Sequence, residues 1–185
     1  MPSKAARAKH IPIPGPLIEW ELQTWARPQL WAEVNETIGY HMIRHSSALQ
    51  PLSAYAANID ALLQLVNPLL ECLCRKTCLF CPDPCCIRAK IWYDYRDLLF
   101  LHLTRQPLPV GQPLAQGRHS CRFLGSRGCT LPRRLRPWTC THYLCPTQKE
   151  RQRRLAPARL QFFETVAENI RRHRQGLIAA FDRVL

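Results

Sequence analysis

Apolar residues recur along much of this chain at the three- and four-residue steps of an amphipathic helix. Leu30, Val34, Ile38 and Met42 follow one another at steps of four, with Pro28 suited to a first helical position, and predict a helix from about residue 28 to residue 45. Residues 46–53, with Pro51 among them, read as a connection. Ile59, Leu62, Leu63, Val66, Leu69 and Leu70 share one face of a second helix, expected over residues 54–73 and bent at Pro68. Residues 91–103 leave two readings open. Trp92, Tyr95, Leu99 and His102 keep helical spacing, yet the aromatic content also suits a strand. Residues 106–119 hold three prolines and two glycines and read as a loop. After Pro157, a stripe of Leu160, Phe163, Ala167, Ile170, Arg174, Leu177, Phe181 and Val184 predicts a long helix, broken in its apolar character only at Arg174. Such a stripe packs on the chain's own core in the first reading; in the second it is a coiled-coil seam joining two copies as a homodimer.

The pattern therefore predicts a mainly α protein in which helices flank an irregular, metal-tied cysteine-cluster core. One domain spans residues 1–185: a mobile basic tail over 1–16, N-terminal helices over 28–75, a cysteine-cluster metal-binding region over 78–146 and a C-terminal helix over 157–185. Hydrophobic residues make up 46% and charged ones 21%, a balance that excludes a disordered chain. No apolar run approaches the roughly 18 residues of a membrane span. Lys4, Arg7 and Lys9 precede an apolar stretch cut by Pro12, Pro14 and Pro16, a poor signal-peptide core, so the expected location is cytoplasmic.

Charge alters this picture in one segment. The net charge is +13, and residues 118–159 carry eleven Lys and Arg side chains against Glu150 alone, a net +10. Compensation of metal-bound thiolates is one use for such an excess. A face for nucleic acid or an acidic protein partner is another. Trp92, Tyr93, Tyr95 and Trp138 are candidates to stack on bases, with core packing as the competing use.

The candidate chemistry is sulfur. Ten cysteines fall mostly into two segments, Cys72, Cys74, Cys78, Cys81, Cys85 and Cys86 in the first, and Cys121, Cys129, Cys140 and Cys145 in the second. In a reducing compartment such density points to metal or redox chemistry before disulfides. A C-x2-C unit brings two thiolates to one metal from a tight turn whose N–H groups face the sulfurs. The neighbours Cys85 and Cys86 would point apart in extended backbone and so serve two centres, or one centre and an outer role. Thiolate ligation suits an iron–sulfur cluster, such as a 4Fe-4S cluster, and also Zn2+. Cys81-Pro82 and Cys145-Pro146 lean towards the cluster, as in ferredoxin-like runs.

Cys78, Cys81, Cys85 and Cys86 form C-x2-C-x3-C-C, followed by Cys121, Cys129, the Arg136-Pro137 dipeptide with Cys140 three residues on, and Cys145. Over residues 78–145 this resembles the CxxCxxxCC family, the zinc- or iron-chelating domain of YkgJ-like cysteine-cluster proteins. A similar pattern occurs in flagellin lysine N-methylase. The resemblance implies Cys78, Cys81, Cys85, Cys86, Cys121, Cys129, Cys140 and Cys145 as metal ligands, with no defined catalytic residue. Cys72 and Cys74 fall outside the pattern and are accessory candidates, as are His142, a replacement ligand, and Arg136, a donor to metal-bound sulfur. His119 is a weaker ligand candidate. The expected role is redox, electron transfer or sensing at the metal. The alternatives are a structural zinc protein with a basic binding face, and a methyl-transfer activity that depends on the cluster and S-adenosylmethionine. Cys74, Cys78 and Cys81 do have the C-x3-C-x2-C spacing of radical S-adenosylmethionine enzymes, but a predicted helix precedes them where those enzymes have barrel strands.

Overall fold

A computed structural model of the protein describes residues 28–82, 84–88, 91–114 and 120–184. The tail expected over residues 1–16 lies outside them. The chain is mainly helical. Helix α1 (Pro28–Arg44) buries Trp31, Val34, Ile38 and His41 at three- and four-residue steps. A single helical turn, α2 (Ser46–Leu49), occupies the segment expected as a connection and drives Leu49 into the core.

Helix α3 (Leu52–Thr77) buries Leu52, Ala56, Ile59, Leu63, Val66, Leu70 and Leu73 along one stripe. It runs four residues past the predicted end, so Cys72 and Cys74 ride on a regular helix. A 3-10 turn, Cys78–Phe80, continues it. Pro68 sits inside α3 on the exposed side, where its missing N–H is least costly.

Next come α4 (Cys85–Arg88) and α5 (Tyr95–Leu103). The ambiguous segment is thus a helix. Its start is set by a capping box: the Asp97 N–H donates to Asp94 Oδ1 at 2.9 Å and the Asp94 N–H to Asp97 Oδ2 at 3.1 Å. Leu98, Leu99, Phe100 and Leu101 are all buried, which explains why no clean period marks it. A small hairpin pairs β1 (Leu124–Gly125) with β2 (Gly128–Cys129), antiparallel; the turn requires the left-handed φ of +97° that Gly128 adopts. A second 3-10 turn, Arg133–Leu135, leads to α6 (Trp138–His142), α7 (Pro146–Leu155) and α8 (Pro157–Asp182).

The long helices α3 and α8 lie against each other, and α5 packs on α1, α3 and α8. Ile38, Ile59, Leu98, Leu99, Leu177 and Phe181 sit at the centre, essentially without solvent contact. The α8 stripe is spent here: Leu160, Phe163, Ala167, Ile170, Arg174, Leu177 and Phe181 are buried within their own chain. The intramolecular reading therefore holds, and the seam for a homodimer is not free. Arg174 is not a flaw in the stripe. Its guanidinium bonds Asp97 Oδ1 and Asp94 Oδ1, each at 2.6 Å, and lies over the Trp138 ring. Tyr93 and Tyr95 are core residues, and Trp138 packs against the core, so these three are committed to packing and not to base stacking. Among the described residues no helix is long and apolar enough to cross a membrane.

Candidate metal centre

The cysteines arrive from the end of α3, from α4, from the hairpin, from α6 and from the cap of α7. Two groups of sulfur result. In the first, Cys74 and Cys78 stand four residues apart on one helical face and hydrogen-bond each other. Arg133 Nη2 donates to Cys74 Sγ at 3.0 Å. Gln148, buried in the first turn of α7, turns its Nε2 towards Thr77 Oγ1 at 3.1 Å, Cys78 Sγ at 3.7 Å and Cys74 Sγ at 3.9 Å. The same residue fastens Cys145. Its backbone N–H donates to the Cys145 sulfur, and its Oε1 accepts from the Cys145 N–H at 3.3 Å. Cys145 thereby plays the capping role normally taken by Ser or Asp. The charge of Cys85 also reaches Cys78.

The second group is Cys86, Cys121, Cys129 and Cys140. Cys86, Cys121 and Cys140 each feel the charge of at least one other member. The Cys121 N–H donates to the Cys86 carbonyl at 2.9 Å, which stitches the two distant cysteine segments together. The N–H groups of Phe123 and Leu124 face the Cys121 sulfur. Tyr93 lies close by: burial raises its hydroxyl, Asp97 adds to this, and Cys140, Cys129 and Cys121 add more. Its O–H donates to the Leu135 carbonyl.

Electrostatics divide the thiols unequally. The hydrogen bond from Cys78, then the charges of Arg133 and Arg136, bring Cys74 down to about 5 against the burial that opposes them, while Cys78, left holding the proton, is pushed up. The hydrogen bond from Cys86 lowers Cys85 to about 7, and Cys86 rises in turn. Burial, then neighbouring Cys129 and Cys121, raise Cys140. Within each pair the proton therefore favours Cys78 over Cys74 and Cys86 over Cys85.

Several expectations meet the geometry differently. Cys85 and Cys86 sit on a helical turn, not in extended backbone, and each shifts the other's ionisation; the charge of Cys85 reaches both Cys78 and Cys140. The donor to sulfur is Arg133, not Arg136, whose Nε donates to the Leu131 carbonyl at 3.0 Å while Nη2 lies 4.0 Å from Glu71. His142 bonds the Trp138 carbonyl through Nδ1 at 2.8 Å and stacks on the Trp138 ring, so it is exposed and turned back on α6. His119 lies outside the described residues. Cys81 is half-buried, its N–H on the Cys78 carbonyl at 3.3 Å. Cys72, two residues before Cys74, falls on the other side of α3. Gln148 carries a signal that the spacing Cys145-Pro146-Thr147-Gln148 already contains: cap, proline at the first helical position, and Gln at the third.

All ten cysteines are free thiols, and among the described residues no three Cys, His, Asp or Glu side chains stand at coordinating distance. The donor set nevertheless suits a soft metal. It is sulfur-rich, backbone and amide N–H groups face the sulfurs, and Arg122, Arg133 and Arg136 place positive charge beside them. Comparison with known proteins returned no match, whether to a family model, a curated protein or a solved structure.

Proposed function

We propose that this chain binds metal through cysteine thiolates, an iron–sulfur cluster ahead of zinc, for electron transfer or redox sensing. What supports the reading above all is the gathering of thiols from two distant segments into two groups, beneath guanidinium and N–H donors. Four thiolates around a dication leave −2, so two such centres call for the local positive charge that Arg122, Arg133 and Arg136 supply. The resemblance over residues 78–145 points the same way, as do the two Cys-Pro steps. When bound, a cluster would supply one-electron chemistry and zinc a closed structural tie. The chain's own contribution is to collect the sulfurs, favour the thiolate form of Cys74 through Cys78 and Arg133, and bury Cys121. A reducing compartment, the cytoplasm, completes the proposal, because the thiols must stay reduced.

Protein purified without oxygen and examined by elemental analysis and visible spectroscopy tests this. Brown protein with iron and acid-labile sulfide is the expected result. Colourless protein with stoichiometric zinc selects the second metal, and protein that takes up neither, even on reconstitution, overturns the proposal.

One observation favours a second role beside the first. Lys149, Arg151, Arg153 and Arg154 are exposed on α7, with only Glu150 among them to pair with Arg153 and Arg154. With the core aromatics committed, this face would contact phosphates and not bases. Binding to RNA or DNA should then be insensitive to sequence and fall steeply with salt; absence of binding at low salt removes the role.

A further inference from the structure

The geometry points to Cys74, which stands outside the C-x2-C-x3-C-C pattern, as a metal ligand in its own right, paired with Cys78 and positioned by Arg133. This rests on the metal-binding proposal above. Two contacts and a helical spacing single out this sulfur. Arg133 comes from fifty-nine residues away, its side chain only 9% exposed, and places Nη2 3.0 Å from Cys74 Sγ. That guanidinium is shared, its Nε 3.5 Å from Glu71 Oε2 and its Nη2 on Cys74, and a charged donor at this distance favours a thiolate acceptor over a neutral thiol. Gln148 then spans Cys74 and Cys78 with its amide while its backbone N–H holds the Cys145 sulfur, so one buried residue draws together sulfurs from α3, its 3-10 continuation and the α7 cap. Finally, the four-residue step from Cys74 to Cys78 offers two sulfurs from one face of one helix end, a rigid arm that needs little ordering on metal uptake.

Cys72 supplies the internal control. It lies on the same helix, is half-buried like Cys74, and has the opposite orientation. Wild type, Cys72→Ser and Cys74→Ser should be purified without oxygen and reconstituted in parallel with ferrous iron plus sulfide, and with zinc alone. The expected result is that Cys74→Ser loses metal or changes the visible spectrum, while Cys72→Ser matches wild type. Full metal and an unchanged spectrum in Cys74→Ser overturn the assignment. Wild type that takes up neither metal overturns the underlying metal proposal, a separable outcome because it needs no variant.

A measurement on wild type alone covers the case in which Cys74→Ser fails to fold. Alkylation of metal-loaded and chelator-stripped protein, read by peptide mass spectrometry, should show Cys74 shielded only when metal is present and Cys72 labelled alike in both. Equal labelling of Cys74 in the two states refutes the assignment. Arg133→Gln tests the positioning role: it should retain folded helix content but release metal to a chelator faster than wild type. An unchanged release rate removes Arg133 from the site.

Discussion

Arg174 shows how much one side chain decides. Asp94 and Asp97 form the capping box of α5, Asp97 also accepts the Trp138 N–H at 3.1 Å, and Arg174 closes the set from α8. Arg174→Met would strand two carboxylates in the core and should cost about 3–5 kcal/mol, visible as a lower urea midpoint. Burial, with the Asp94 charge adding to it, raises Asp97 to about 7 although Arg174 opposes the shift. The unfolded chain loses that proton near pH 4, so between about pH 4 and 7 the folded state binds the extra proton. This group's stabilisation is complete below that window and falls as pH rises through it. Asp94 has the opposite sign: burial would raise it, but Arg174 and Arg96 hold it low, and its contribution is lost in acid. Asp97→Asn should flatten the fall between pH 4 and 7 in a plot of unfolding midpoint against pH. A milder test lies at the end of α5. Arg105 takes a left-handed φ of +52°, with the Gln106 N–H on the Leu101 carbonyl at 2.9 Å, the position that glycine favours after a helix. Arg105→Gly should raise stability by roughly 1 kcal/mol in the same assay.

Between elements, two glycines answer oppositely to the same substitution. Gly39, in α1, leaves room: an added Cβ would meet only His102 Cε1 at 3.8 Å, so Gly39→Ala should stabilise by about 0.5–1 kcal/mol through helix propensity. Gly176, in α8, marks the close approach to α3. A Cβ there would lie 2.4 Å from Tyr55 Cε1 and force the ring from its edge contact with His173, so Gly176→Ala should destabilise by about 1–3 kcal/mol. Thermal unfolding of the two variants distinguishes local propensity from packing. The helices themselves were legible: α1, α3 and α8 follow the apolar stripes to within a few residues. α7 was not foreseen, because its ten residues, rich in Arg and Gln, bury only Gln148 and Gln152 among the side chains described. α5 stayed ambiguous because a segment buried on every side shows no period.

Over the whole molecule, the region from Cys78 to Cys145 contrasts with the helices around it. Among its described residues, regular structure amounts to short turns, one nine-residue helix and a two-strand hairpin. Outside α5, which is anchored in the core, these turns have little of their own to hold them, so metal bound there would contribute directly to folding. Chelation of the loaded protein should therefore lower the thermal midpoint and loosen hydrogen-exchange protection at Cys121, Cys129 and Cys140, while α3 and α8 keep theirs. An unchanged midpoint would count against a centre that ties this region.

The linear order of residues determined where the long helices run and that two sulfur-rich stretches exist, because helical period and cysteine spacing are local properties. It also left Arg174 as an interruption in a stripe and Arg136 as the arginine nearest in spacing to the expected role. Only the packing of α8 on α3 and α5 turned Arg174 into the buried partner of two carboxylates. Only the folding of the Arg133–Leu135 turn onto the end of α3 set Arg133 against Cys74, and only the approach of α7 to that same end joined Cys145 to Cys78 through Gln148. Contacts across fifty-nine to eighty residues depend on how finished helices fit together, and no spacing along the chain encodes that fit.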